Sequence, residues 1–554
     1  MPNLLENGQL DIDSPDLDSL ENAAFSSGAG MLRRPVSMTS FALNRYFFGI
    51  APYSHKVVNL IIHLLVGLTL FVLSRLVVRS YRQYRDPQFS AAAVNWIPLV
   101  VCGLWLVHPL NLTSVLYIVQ RMTSLAALFT AGGLCLYVIG RQRMLAGKHG
   151  LSFIMAGLLL FGGMSVFSKE TGALLPLYML VLEITLFRFL GNTGRPDKTI
   201  ITFFVLVVAL PGLMFLLYIW INPLDLVNYD GRNFTLTERL LTEARVLVFY
   251  LRMIIMPSIR DLGLYHDDIA ISHGLLDPAS TLYSLLTLAG LLAGSLLIIG
   301  KRPLISLGIL WFFTGHVLES TIFPLEIAHE HRNYLADYGI LLAVTSALAQ
   351  APLRRFAGPI KMAAPALFFL LFSYTTWLRS EQWSDNINHA IYEARHHPQS
   401  ARAVFAAGRI HARLTLQGQQ PGHKDKAFEY LERASELDKA GIMPDVTLVK
   451  LSYLVGRPVN PTQFDRMLDK LSRYPVSPSD ILSLKALAEC MGKQCKIPHK
   501  IMDALFGAAM KEESVPLLMV YGYYKITKQG DAQAGLKAFA RAVELDPQQP
   551  QHWL

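Results

Sequence analysis

The sequence predicts an all-α membrane protein: a polytopic bundle of apolar helices followed by a soluble α-solenoid of helical repeats. Three observations carry that prediction. The chain has 554 residues, 52% hydrophobic and only 16% charged, with mean hydropathy +0.35; soluble domains carry roughly a quarter charged residues. The apolar excess lies before Trp377 in blocks of about 17–22 residues, the length that crosses a bilayer, and it vanishes after Arg379. Beyond that point apolar residues recur three and four apart, as on one face of a helix. A soluble enzyme with a large core, a disordered chain and a disulfide-rich secreted protein are excluded. The formal net charge of +9 reads as a topology signal, with no nucleic-acid partner, because much of the Lys and Arg falls in short loops between apolar blocks.

In chain order, residues 1–56 form a polar leading segment and residues 57–378 a membrane domain of about ten spans. Spans are expected near Val57–Val77, Ala91–Val107, Thr123–Ile139, Leu151–Phe167 and Gly172–Phe189. Five more follow near Ile200–Trp220, Leu282–Ile299, Leu304–Phe323, Tyr334–Leu348 and Met362–Thr376. Ala244–Met256 is apolar but short and carries Arg245 and Arg252, so it reads as an interfacial or re-entrant helix.

Alternate loops are then rich in cations: Arg75, Arg79, Arg82 and Arg85; Arg141, Arg143 and Lys148; Arg195 and Lys198; Lys301 and Arg302; Arg354, Arg355 and Lys361. Cytoplasmic loops carry the Lys/Arg excess, so this set is expected inside. The other loops and everything after Thr376 are then outside. On that topology residues 1–56 must cross the membrane, although they hold no signal-like apolar segment. One further span before Met1 is the simplest expectation; an N-out start is the alternative.

Residues 379–554 are expected as an exported domain. The segments Ala427–Asp438 and Gly535–Asp546 align without gaps and share R-A-x-E-L-D, with Phe428 matching Leu536 and Leu431 matching Phe539. That pattern resembles the second helix of a tetratricopeptide repeat, and two unrelated amphipathic helices are the plainer alternative. Such repeats bind polypeptide or copies of themselves, so protein partners are expected there. Cys102 and Cys135 lie in spans and read as packing residues. Cys490 and Cys495, spelled C-M-G-K-Q-C, lie in the exported domain. They lack the second pair that a zinc set needs, so a short-loop disulfide is expected and no metal is assigned.

Five polar clusters fall at span ends on the expected outer face, where ionisable groups at membrane depth mark function. They are Arg33-Arg34-Pro35 with Asn44; His108-Pro109 leading to Gln120-Arg121; Ser168-Lys169-Glu170; His266-Asp267-Asp268; and Glu326 with His329-Glu330-His331-Arg332-Asn333-Tyr334. Solvated loops are the alternative, and Lys169–Glu170 could be a local ion pair capping the next span. Arg34, Arg121, Lys169 and Arg332, with His108 and His331 nearby in sequence, suit a lipid-linked phosphate. Glu170, Glu330 and Asp267 are carboxylates able to act as a general base on an acceptor hydroxyl. Asn59 and His63 read as interhelical hydrogen-bonding residues.

The runs R-R-P-V-S-M-T-S-F-A-L-N-R-Y-F-F-G, V-V-N-L-I-I-H-L-L, H-P-L-N, Y-I-V-Q-R-M-T-S-L-A-A-L-F, S-K-E-T-G and E-H-R-N-Y-L resemble, in order and over nearly the whole chain, bacterial membrane proteins related to the TMTC O-mannosyltransferases. The resemblance implies a GT-C-like glycosyltransferase fold joined to tetratricopeptide repeats. It implies inverting transfer of a sugar from a polyprenyl-phosphate-linked donor to an exported protein acceptor. It implies a bacterial inner membrane location with the repeats in the periplasm. No resident cofactor follows, and a divalent cation stays open. The paired-acid motif that the family keeps in its first outer loop is not found; Asp11, Asp13 and Asp16 are not at the matching position. Asp337 stands where relatives tend to be apolar or Pro. A non-catalytic membrane-anchored scaffold is therefore the competing reading. A transporter is a third, although its expected mid-span charges are not the pattern seen.

Overall fold

A computed structural model describes residues 4, 7–28, 30–222, 229, 232–351, 357–418, 422–437 and 441–547. Arg354 and Arg355, Asp438 of the repeat block and most of the first six residues lie outside that set, as does the side chain of Lys361. Among the described residues the chain is helical, with isolated bridges at Leu190–Pro196 and Met491–Cys495 in place of any sheet. It divides into two units, the first formed by Met1–Val227, Glu238–Leu262 and Ser272–Trp383, the second by Asn228–Thr237, Gly263–Ile271 and Ser384–Leu554.

In the first unit the helices are α1 (Pro35–Phe48), α2 (Pro52–Tyr84), α3 (Ala93–Leu106), α4 (Arg121–Leu145), α5 (Leu151–Ser168), α6 (Glu170–Phe187) and α7 (Lys198–Ile221). They continue as α8 (Leu236–Ile255), α9 (Ser280–Ile298), α10 (Pro303–His316), α11 (Ala336–Gln350) and α12 (Ala357–Gln382). Six of these are long and apolar enough to cross a membrane: α2, α4 with its leading turn from Ile118, α5, α6, α7 and α9. A seventh crossing exists if α3 and Pro109–Leu116, bent by 50°, form one span. This is the composition of a multi-pass membrane protein.

The expected span Leu304–Phe323 is interrupted. Its helix α10 stops at His316, and the residues that follow form turns. The expected interfacial helix at Ala244–Met256 is longer than its apolar core and runs as α8 from Leu236. It buries Arg239 and Glu243.

With no hydrophobic force between helices in lipid, close backbone packing holds such a bundle. Helices α10 and α11 cross at glycines: a Cβ on Gly308 would lie 2.2 Å from the Gly339 carbonyl oxygen, and one on Gly339 would lie 2.5 Å from that of Gly308. Helices α4 and α5 meet the same way at Gly133 and Gly157. The Arg141 guanidinium at the end of α4 is fully buried. It forks onto Glu183 of α6 at 2.8 and 3.0 Å, whereas the sequence reading placed it in a loop. The pairing keeps neither charge alone in an apolar setting.

The second unit stacks α13 (Asn386–His396), α14 (Ala401–Leu416), α15 (Gly422–Glu436), α16 (Met443–Leu454), α17 (Thr462–Arg473), α18 (Pro478–Cys490), α19 (His499–Ala509), α20 (Val515–Tyr524) and α21 (Ala532–Leu545). Its main core gathers Met467, Leu484, Phe506, Leu517 and Tyr524. Each of the two matching segments lies in the second helix of an adjacent packed pair, α14 with α15 and α20 with α21. The match in burial is incomplete: Phe428 is buried, while Leu536 is 63% exposed. Cys490 and Cys495 are joined by a disulfide with Cα atoms 5.2 Å apart.

Candidate functional site

The site begins with the break between α5 and α6. Lys169 is extended (φ −159°, ψ 147°), so the helix stops and its side chain turns inward. The sharp return needs a glycine: a Cβ on Gly172 would lie 2.4 Å from the backbone of Ser165 and Val166. Ser37 of α1 fixes the same turn by donating to the Ser168 carbonyl at 2.8 Å. The buried Lys169 ammonium then donates to Glu319 Oε1 at 2.9 Å and to Thr123 Oγ1 at 3.2 Å.

A second strut comes from the E-H-R-N-Y segment. Tyr250 of α8 accepts from the His329 amide at 2.7 Å and donates to the His329 carbonyl at 3.0 Å. Arg332 is buried and donates to the carbonyls of Ile327 (2.9 Å) and Glu326 (2.5 Å), with Glu243 3.7 Å away. Glu243 itself pairs with Arg239 at 2.9 Å. Arg239 grips the turns after α10 through the carbonyls of Glu319, Thr321 and Leu325.

Lys169, Glu319, His331, Arg332, Thr123 and Tyr178 line one cavity of about 40 Å³. That is room for a water or two. The electrostatics are positive on balance. Burial, followed by the charges of Lys169, His329, Arg332 and Arg34, holds the His331 imidazole well below its ordinary pKa, so it is neutral near pH 7. Burial pushes the Glu243 carboxyl up to about 7, with Arg332 and Arg239 opposing only part of the shift. A carboxyl poised there can take or give a proton near neutrality.

The other expected site residues go elsewhere. Arg34 and Glu170 pair with each other at 2.9 Å, half-buried. Arg33 and Arg34 both sit at positive φ, 56° and 53°, a conformation that non-glycine residues adopt under local constraint. The turn folds Gly30 over Glu170, whose Oε1 occupies the place a Cβ would take.

Arg121 is fully buried and does not line the cavity. It donates to the Asn59 amide oxygen, to Asn44 and to the carbonyls of Ser40 and His55, clamping α1 to α2. Glu330 is buried in a pair with Arg379 of α12 at 2.5 Å, also away from the cavity lining. His108 donates through Nε2 to the Ile254 carbonyl and accepts at Nδ1 from the Leu110 amide, a packing and turn-capping role. The reason is common to all three. A charged or polar group taken out of lipid and water must find its partners inside the protein. Asn59 and His63 do make interhelical bonds, though not to each other: Asn59 donates to the Val115 carbonyl, and His63 bonds Tyr334 and the Leu106 carbonyl.

Asp267 belongs to the second unit, where it accepts from Ser400 Oγ (2.5 Å) and the Arg402 amide (3.2 Å) at the start of α14. Beside it, burial raises the Asp268 carboxyl, but the His397 hydrogen bond and charge outweigh that and hold it below its ordinary pKa. His266, Asp268 and His397 bring their ligand atoms within 4.8 Å of one another, the one metal-like cluster among the described residues.

Glu319, Glu243, Arg239 and Arg379 were missed by the sequence reading. Their signal was present as charges inside or beside apolar runs, yet Glu319 was absorbed into an expected span. Comparison with protein-family models, with curated proteins and with solved structures returns no match.

Proposed function

We propose that this protein is a membrane glycosyltransferase whose cavity at Lys169, His331 and Arg332 receives the phosphate of a polyprenyl-phosphate-linked sugar. The single observation behind this reading is convergence. Residues from segments far apart in sequence bring two cations, the Glu319 carboxylate and a neutral imidazole to one cavity at helix ends. An anion there is favoured by both charges, and the apolar helices around it suit the lipid tail. The cavity holds only a water or two, so a phosphate enters as Lys169 leaves Glu319. The acceptor is an exported protein, bound by the helix pairs of the second unit acting as tetratricopeptide-like repeats. The location is the bacterial inner membrane with that unit in the periplasm. Glu243, behind Arg332 and itself paired with Arg239, is the proton acceptor of this reading because burial pushes its carboxyl up to about 7 in spite of those cations.

The Arg34–Glu170 and Arg379–Glu330 pairs favour a second reading, a membrane-anchored scaffold without catalysis, because a carboxylate locked to Arg is a poor base. The test is binding of a polyprenyl phosphate to purified protein, followed by sugar transfer. Removing one charge-assisted phosphate contact costs on the order of 1.5–3 kcal/mol, so Arg332→Ala and the paired variant Lys169→Met/Glu319→Gln should each lose tenfold or more in affinity. Unchanged affinity in both would sink the site. Normal lipid binding with no sugar transfer from any donor would favour the scaffold.

A further inference from the structure

We propose that His266, Asp268 and His397 form a binding site for one divalent transition-metal ion of the zinc class, which clasps the segment Gly263–Ile271 to the turn between α13 and α14. The donors come from two stretches of chain and lie within 4.8 Å of one another. His397 Nδ1 and Asp268 Oδ2 are 2.9 Å apart. Neighbouring ligands on a tetrahedral zinc are about 3.3 Å apart, given bonds of about 2.0–2.1 Å, so this pair needs little adjustment. His266 sets its ring edge-on to that of His397, with centroids 5.6 Å apart. Two imidazoles and a carboxylate are a set that zinc and its first-row neighbours take and that calcium or magnesium does not.

Gly263 lets its segment pack closely against the other edge of the His397 ring: a Cβ there would lie 2.8 Å from His397 Nε2 and 2.9 Å from Glu393 Oε2. Glu393 is itself buried and holds the Leu264 amide at 2.9 Å. The ion would also sit at the C-terminal end of α13, where His397 follows the last turn and the helix dipole favours a cation. His266 and His397 are both nearly buried, and with three protein donors a water would complete a tetrahedral set.

The experiment uses the full chain purified in detergent without chelator, loaded with zinc and dialysed, with metal read by elemental analysis. One zinc per chain is expected, falling to background in His266→Ala/His397→Ala. Thermal unfolding should shift down on adding EDTA for the wild type and stay unmoved for the variant. Should the double variant fail to fold, cobalt added to the metal-free wild type decides. Visible absorption of a tetrahedral nitrogen–oxygen site, weakened in Asp268→Asn, supports the site. Background zinc in the loaded wild type, equal metal in wild type and folded variant, or a featureless cobalt spectrum overturns it.

Discussion

The Lys169 ammonium and the Glu319 carboxylate stand 2.9 Å apart, each side chain only 9% exposed. Removing one partner leaves the other charge buried, which costs about 3–5 kcal/mol, while replacing both with apolar groups can be close to neutral. Lys169→Met and Glu319→Leu should each be strongly destabilising, and the double variant Lys169→Met/Glu319→Leu should recover most of the loss. Denaturant or thermal unfolding in detergent, arranged as a double-mutant cycle, measures the coupling. Additive losses would show that the two charges do not depend on each other.

Gly172 has no room for a methyl group, since its virtual Cβ meets backbone atoms at 2.4 Å, whereas Gly163 on the same helical hairpin meets nothing within 4 Å. Gly172→Ala should therefore cost on the order of 1–3 kcal/mol or prevent folding. Gly163→Ala should be neutral or stabilise by up to about 1 kcal/mol. Yield of monodisperse protein and melting temperature separate the two.

Glu243 titrates near 7 in the folded protein against an ordinary 4.5. Its native pKa is raised, so the folded state holds the proton more tightly. The group's contribution is fully present below about 4.5 and is lost as pH rises through about 7, a total of roughly 3 kcal/mol as an upper bound. Glu243→Gln should flatten the fall in stability between those pH values. Wild type and variant curves that run parallel across the window would contradict the shift.

The Lys/Arg alternation predicts a membrane orientation that labelling can test. Gln83 at the end of α2 and Gln533 in α21 are both exposed. Cys102 and Cys135 are buried, and the remaining cysteines are bonded to each other. A membrane-impermeant thiol reagent on spheroplasts should label Gln533→Cys and spare Gln83→Cys. The reverse pattern would invert the topology.

The Cys490–Cys495 bond closes a short loop, with Cα atoms 5.2 Å apart. A loop of that size stabilises by on the order of 2 kcal/mol in the chain-entropy account. Cys490→Ser/Cys495→Ser should lower the melting temperature of the second unit by a few degrees. Mass analysis after alkylation without reductant should find two modified cysteines, Cys102 and Cys135, once the wild-type protein is unfolded. Four would mean that the bond is absent.

Hydropathy and periodicity are local, and what depends on them was legible in the sequence. Long apolar runs became α2, α4, α5, α6, α7 and α9, and the three-and-four spacing of Phe428 and Leu431 became a buried helix face. Lys169 and Arg332 could be singled out because a charge at the edge of an apolar run is conspicuous by itself. Which charge meets which is a long-range fact. Glu319 is 150 residues from Lys169 and Glu170 is 136 from Arg34. No pattern along the chain says that Arg121 would turn to Asn59 while Arg332 would turn to the cavity. Helix packing decided that, because each buried charge settles where backbone carbonyls and opposite charges can replace the water it has lost. The sequence alone determined how much of this chain is apolar enough to enter a membrane and which ionic groups go with it; the tertiary structure alone decided which of those groups are held in pairs and which face an open space.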